Sequence, residues 1–282
     1  MKLALVIQGG GMRGAYAAGV LDVLMENEIW ADAVYGTSAG ALSGLNYVSR
    51  DKGRAAKVFL TQMTDGSFVK PINLFIKGSA IDFTEILPKD SKDKLPFDSA
   101  TFFSSATEFY CCATDCESGA PVYFSKLDPD FWHGVAASAS LPLATQPTLV
   151  HGHPYLDGGV VDPVSLVKAF EDGATKVIVI LTRSKGYRKE PLSSLRKTLA
   201  KTLYRKCPVF LQAYYRSVTS YNDEMDLVDR LAEEGKVFAI YPSVPPKLGH
   251  REKDPAKIQE LIDEGTMDAL ACLPKLKEYL SK

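Results

Sequence analysis

Apolar runs and their spacing divide this chain into short strands alternating with helices. Leu3 to Gln8 begins with five consecutive apolar residues and ends against glycines. A run so short, bounded by turn residues, predicts a buried parallel strand. After Gly9-Gly10-Gly11-Met12-Arg13-Gly14, the residues Ala17, Val20, Leu21 and Leu24 recur at helical spacing, predicting a helix that ends near Ile29. Ala33-Val34-Tyr35 reads as a second strand. It leads directly into Gly36-Thr37-Ser38-Ala39-Gly40 and a small-residue helix carrying Leu42, Leu45 and Val48. Strand, turn and helix thus occur twice in the first fifty residues, the signature of a parallel α/β protein.

The middle of the chain is less regular. Between about 60 and 106, Phe68, Phe75, Phe83, Phe97, Phe102 and Phe103 are scattered among prolines and turn residues. They fit a cover over an acyl pocket or ordinary core equally well. Strands are predicted at Phe109 to Thr114 and Val122 to Phe124, joined by the turn Asp115-Cys116-Glu117-Ser118-Gly119. Further strands are predicted at Thr148 to Val150, Lys176 to Leu181 and Val237 to Tyr241, and a helix from Pro255 onward. With no repeat and no low-complexity linker, the expected organisation is one domain over 1–282.

Composition changes this picture little. At 46% hydrophobic and 24% charged, the 282 residues have ordinary globular usage. A formal net charge of −1 gives no bulk attraction for nucleic acid, so no nucleic-acid partner is expected. Cys111, Cys112, Cys116, Cys207 and Cys272 are odd in number and lack the histidine spacing of a zinc site. Reduced thiols and no metal are therefore expected. The opening residues do not resemble a secretory leader, and no stretch has the length of a membrane span. A cytoplasmic protein, with at most peripheral membrane contact, is expected.

One charge feature stands out locally. Arg183 to Lys206 holds nine Lys or Arg against Glu190 alone, and Leu192, Leu195, Leu199 and Leu203 recur within it. This predicts a basic amphipathic helix, either a solvated face or a contact for anionic membrane over residues 183–206.

Three motifs carry chemistry. Gly36-Thr37-Ser38-Ala39-Gly40 fits G-x-S-x-G between a strand and a helix, where a sharp turn exposes a serine hydroxyl near a helix N-terminus. Gly9 to Gly14 fits G-x-G-x-x-G, the pattern of a dinucleotide loop. That use requires an acid at the end of the second strand, where this chain has Gly36-Thr37-Ser38. The loop can instead present N–H donors to a reacting carbonyl. Asp157-Gly158-Gly159 is either a plain turn or a strand-end carboxylate able to serve a serine as base.

In this order, the three motifs resemble the signature blocks of patatin-like phospholipases. Leu95-Pro96-Phe97-Asp98, Ala113-Thr114-Asp115, Ala137 to Pro142 and Leu181-Thr182-Arg183 resemble segments of a bacterial branch of that family. The resemblance spans roughly residues 1 to 245, leaving a helical extension of about 246–282 outside it. It implies a three-layer α/β/α fold with a mostly parallel sheet, hydrolysis of lipid esters, and a Ser38–Asp157 dyad working without histidine or cofactor. Gly10, Gly11, Met12 and Arg13 would form the oxyanion hole; Gly9, Gly14, Gly36, Gly40, Gly158 and Gly159 would be the motif glycines. Two other readings stay open. Ser38, Asp157 and His250 follow the order of an α/β-hydrolase triad, and a non-catalytic lipid or nucleotide binder retains the same loops.

Overall fold

The apolar run becomes β1, Leu3–Ile7, every residue of it buried. It lies inside an eight-stranded sheet of the computed structural model, which describes residues 1–61, 64, 95–249 and 252–282. The other strands are β2 (Ala33–Thr37), β3 (Glu108–Asp115), β4 (Pro121–Ser125), β5 (Thr148–Val150), β6 (His153–Asp157), β7 (Lys176–Ile180) and β8 (Val237–Ile240). β3, β2, β1, β7 and β8 are parallel neighbours in that order. β4, β5 and β6 add an antiparallel margin.

Helices cover both faces. They are α1 (Ala15–Glu26), α2 (Ala39–Val48), α3 (Arg54–Leu60), α4 (Ser99–Ser104), α5 (Phe131–Ser138), α6 (Leu166–Glu171), α7 (Ser194–Leu203), α8 (Pro208–Glu233) and α9 (Pro255–Ser281). Alternate residues of β1 serve different cores, as a period of two requires. Leu3, Leu5 and Ile7 pack with residues of α1, α2 and α9. Ala4 and Val6 pack with Leu166 and Ala169 of α6 and with Tyr221, Met225 and Val228 of α8. The expected α/β layering around a mostly parallel sheet is present.

The predicted elements differ mainly at their ends. α1 stops at Glu26, because Glu28 turns the chain with φ of 53°. Ile29 is buried beyond the helix, so its apolar character marks packing and not helical conformation. β2 runs on through Gly36 and Thr37. His151 and Gly152, both at positive φ, form the two-residue turn between β5 and β6, so His153 belongs to a strand. α8 was not predicted, although its buried residues Phe210, Tyr214, Ser217, Tyr221, Met225 and Val228 follow helical spacing. Only three of these six are plainly apolar, which weakens the pattern.

The C-terminal residues are built into the same layers. β8 pairs with β7, and α9 lies directly on α1. A Cβ on Gly19 would sit 2.1 Å from the Ile262 carbonyl oxygen, and one on Gly265 2.1 Å from that of Tyr16. Only glycine allows the two helices to approach this closely.

Candidate active site

The register of β3 brings two distant motifs together. β4 occupies one edge of β3 from Tyr110 to Thr114. On the opposite edge, Thr37 of β2 pairs with Cys112, and Asp157 of β6 pairs with Ala113. β2 and β6 therefore meet end to end along one edge, running in opposite senses. The residue after Thr37 is Ser38, and it arrives beside Asp157.

Ser38 sits at φ 56° and ψ −125°, a left-handed conformation that costs a non-glycine residue about 1–3 kcal/mol. The surroundings hold it there. Its N–H donates to Ser138 Oγ at 2.9 Å, and its carbonyl accepts from Ala41 and Leu42 at the start of α2. A Cβ on Gly36 would approach Ala41 Cα to 2.5 Å, and one on Gly40 the Ile7 carbonyl oxygen to 2.2 Å. Both glycines are needed for the turn to fold against the sheet.

The glycine loop lies against this turn. A Cβ on Gly9 would stand 2.9 Å from Ser38 Cβ, and one on Gly14 2.8 Å from Ala39 Cβ. Its other side is fixed by the residues that follow β7. Thr182 donates from its N–H to Gln8 Oε1 at 2.8 Å, and its hydroxyl reaches the Gly9 carbonyl at 2.9 Å. The N–H of Arg13 is bonded to the Gly10 carbonyl at 3.3 Å, whereas those of Gly10, Gly11 and Met12 meet no acceptor among the described residues. The Gly10, Gly11 and Met12 N–H groups are thus available as backbone donors, with Arg13 as the basic residue beside them.

Asp157 is 4% exposed. Its Oδ1 accepts the Gly159 N–H at 2.7 Å, and Oδ2 has no hydrogen-bond partner among the described residues. Burial pushes the carboxyl up to about 6, opposed by the neighbouring Ser38 hydroxyl, the Gly159 N–H and the Lys189 ammonium. The hydroxyl is close enough to favour the carboxylate yet makes no full hydrogen bond to Oδ2. Such loose geometry is usual where a catalytic contact tightens only around substrate.

A cleft of about 1140 Å³ opens over these groups. Gly9, Gly10, Gly11, Arg13, Ser38, Asp157 and Gly159 border it, whereas Met12, Gly14, Gly36, Gly40 and Gly158 are not among its lining residues. Its apolar lining comes from Leu141 to Ala144, Val160, Pro163 and the α8 face, including Tyr214, Val218 and Tyr221. The phenylalanine-rich stretch supplies none of it among the described residues. Phe97, Phe102 and Phe103 instead make ring contacts with Phe131 and Trp132, Phe102 buried as core and Phe103 exposed at its margin, and Phe68, Phe75 and Phe83 lie outside the described residues.

Sequence reading did not single out Lys189. Its ammonium stands 4.1 Å from the centre of the Tyr221 ring, and its main chain is clasped by Asn222 of α8. Burial, together with Arg13 and Arg183 nearby, pulls it down to about 8, against the pull of Asp157 and Glu224. Arg13 is likewise lowered to about 10, by burial and then by Arg183. The cleft therefore holds cations that destabilise one another. Among one run of nine basic residues, nothing in the sequence distinguishes Lys189; only the fold of α8 selects it.

The histidines are elsewhere. His133, His151 and His153 are exposed and face Asp130, Asp128 and Glu117. His250 lies outside the described residues. No cluster of ligands able to hold a metal ion occurs among the described residues. All five cysteines are unbridged.

Comparison with known proteins identifies the scaffold. The model of the patatin-like phospholipase family matches residues 5–169, more than half the chain and all three motifs. The chain belongs to the patatin-like phospholipase family. A second model, a domain of unknown function (DUF6363), matches residues 207–281, which here form α8, β8 and α9. The uncharacterized protein YjjU of Escherichia coli is 29% identical over 86% of this chain and 69% of its own length. The lysophospholipase nte1 of Aspergillus terreus is 31% identical over 58% of this chain, and the matched part is 11% of that protein. Mouse patatin-like phospholipase domain-containing protein 7 is 28% identical over 63% of this chain and 13% of its own length. The chain thus spans about a tenth of these two larger relatives. Among solved structures, VipD of Legionella pneumophila aligns over 97% of this chain and 67% of its own, at 12% identity and a TM-score of 0.49. Membership in this patatin-like family supports lipid acyl hydrolase chemistry in general.

Proposed function

We propose that this chain hydrolyses carboxylic esters of lipids through an acyl-Ser38 intermediate, with Asp157 as the base. One observation carries the reading. The Ser38 hydroxyl adjoins a buried carboxyl whose Oδ2 has no partner among the described residues, in the cleft bordered by glycines whose N–H groups meet no acceptor among them. A carboxylate shielded from water has raised proton affinity, which suits it to take a proton near neutral pH.

The reaction follows from that placement. Asp157 Oδ2 accepts the Ser38 proton as Oγ adds to the ester carbonyl carbon. The carbonyl oxygen gains negative charge and receives N–H donors from Gly10, Gly11 and Met12. The tetrahedral adduct collapses, the bond to the alcohol breaks, and Asp157 returns the proton to the departing oxygen. Water then repeats the sequence against the acyl group, giving up a proton to Asp157 and freeing Ser38 and the fatty acid. No step calls for a metal or organic cofactor.

The cationic cleft bears on substrate class. Arg13, Arg183, Lys189 and Arg196 all line it. An anionic group bound among them would relieve the repulsion that lowers Arg13 and Lys189. A phosphate-bearing lipid ester fits this better than a neutral glyceride. The discriminating experiment treats the protein with a fluorophosphonate, followed by intact mass and peptide mapping, alongside assays on phospholipid, lysophospholipid and triglyceride. One adduct on Ser38, with cleavage of the phospholipids ahead of triglyceride, is the expected result. Absence of any adduct on Ser38 would overturn the proposal.

A further inference from the structure

Helix α7 presents its leucines to solvent. Leu195, Leu199 and Leu203 are 77%, 43% and 50% exposed, and Ala200 is the helix's only buried residue. At about 100° per residue the three leucines fall within an ~80° arc, on one face of the helix. Ala200 and the following Tyr204 are held on the protein side, Tyr204 by accepting the Leu143 N–H at 2.8 Å. An amphipathic helix usually turns such a stripe toward the core. Here the stripe is left outside.

The charges beside it are also uncommitted. Arg196, Lys197, Lys201, Arg205 and Lys206 follow one another with no acid among them. None has an ion-pair partner among the described residues, whereas the earlier part of the basic stretch is used within the protein. Lys185 pairs with Glu233, and Arg188 with Asp226 and Asp229. The basic run of 183–206 therefore divides in two: a first part bound inward and a second part directed outward.

We infer that α7 is an interfacial anchor. Its leucines enter the acyl region of an anionic bilayer, its cations engage the lipid head groups, and the cleft opens toward that surface. Both halves of the pattern are needed for this assignment. A soluble polyanion would use the cations but not the leucines, and a second copy of the chain would bring five more positive charges against the first five. A bilayer with acidic head groups satisfies both. The position fits as well. Leu192, Ser193 and Arg196, at the entrance to α7, line the same cleft as Ser38. The Leu143 N–H held by Tyr204 belongs to another lining residue. A lipid leaving the membrane beside α7 is already at the mouth of the site.

This assignment deepens the lipid hydrolase reading, and its test separates the two. The full chain carrying Ser38→Ala, which leaves vesicles intact, is sedimented with pure phosphatidylcholine vesicles and with equimolar phosphatidylcholine–phosphatidylglycerol vesicles. It should bind the mixed vesicles preferentially. Leu195→Ser/Leu199→Ser/Leu203→Ser and Lys197→Glu/Lys201→Glu, each added to this background, should weaken that binding by roughly tenfold or more. These positions do not line the cleft. With Ser38 restored, both variants should therefore cleave a soluble short-chain nitrophenyl ester at the parent rate while losing activity on vesicle lipid. As a direct probe of burial, Leu199→Trp should shift its emission to the blue on the mixed vesicles. Failure of the parent to bind mixed vesicles, or undiminished binding by both variants, would overturn the anchor. Absence of ester cleavage with binding intact would overturn the hydrolase reading and leave the anchor standing.

Discussion

Ser38 and Asp157 are held in place by different physics. On the serine side the backbone does the positioning. A strained residue is locked by glycines at 36 and 40 whose replacement would drive a Cβ into main-chain atoms. On the aspartate side, burial does it. The carboxyl has one backbone hydrogen bond, the charge of Lys189 and an oxygen with no partner among the described residues. The first arrangement is rigid and intolerant of added atoms. The second is electrostatically unfavourable when empty, because a low-dielectric site raises the energy of its charge. Under the proposed chemistry, rigidity on one side and stored electrostatic energy on the other are complementary, since a fixed nucleophile gains most from a base that favours protonation.

If the two sides act as one unit, removing either should remove nearly all of the activity. Ser38→Ala, Asp157→Asn and the double variant should each lose about 10³-fold or more in kcat/KM and reach a common floor. Steady-state assays on a soluble ester decide it. Additive losses in the double variant would mean that Asp157 contributes independently of the serine.

The comparison also predicts opposite effects on stability. Gly40→Ala should destabilise by about 3 kcal/mol, because its Cβ meets the β1 main chain and not a movable side chain. Asp157→Asn should stabilise the protein above pH 6. The folded-state pKa of about 6 lies above the ordinary carboxylate value of 3.8. The contribution of Asp157 to stability is therefore present below pH 4 and lost as pH rises through 6. At neutral pH the variant should be ahead by about 3 kcal/mol. Urea unfolding at pH 4 and pH 7.5 checks both signs. An Asn variant that gains nothing at pH 7.5 would show that the buried charge is better compensated than its surroundings suggest.

A smaller effect isolates the cation. As a base, Asp157 must be ionised, so kcat/KM should rise through about pH 6. Lys189 favours the carboxylate, so Lys189→Met should move this acid limb to higher pH while the plateau with a neutral ester stays near the parent value. An unmoved limb would place the Lys189 charge outside the reach of Asp157.

This division also decides what could be read from the chain. The serine side is backbone-built, and close backbone approach requires glycine at fixed spacing; Gly9, Gly14, Gly36 and Gly40 are legible for that reason. The end-to-end meeting of β2 and β6 is not, because register along β3 is set by tertiary pairing between residues far apart in the chain, such as Thr37 with Cys112 and Asp157 with Ala113. Lys189 and the α8 wall are side-chain-built and come from ordinary residue types. The leucines of α7 are visible as a periodic stripe. Periodicity alone does not say which way a stripe faces, and here it faces outward, against the usual rule.

The smallest expected effect tests the comparison at its base, for a relay through histidine would make the Asp157 side secondary. His133, His151 and His153 are paired with surface carboxylates and border no part of the cleft. Their alanine variants should keep kcat/KM within about twofold, an exposed ion pair being worth under ~1 kcal/mol. His250 has a different standing, since it lies outside the described residues. If Asp157 is the base, His250→Ala should also retain most of its activity, and the acid limb near pH 6 should persist unchanged. A triad makes the opposite demand. His250→Ala, folded by circular dichroism, would fall to the Ser38→Ala floor, and the limb near pH 6 would then belong to an imidazole. The pH profile of His250→Ala therefore separates the two bases even where an imidazole and a raised carboxyl titrate at similar pH, because only the carboxyl survives the substitution.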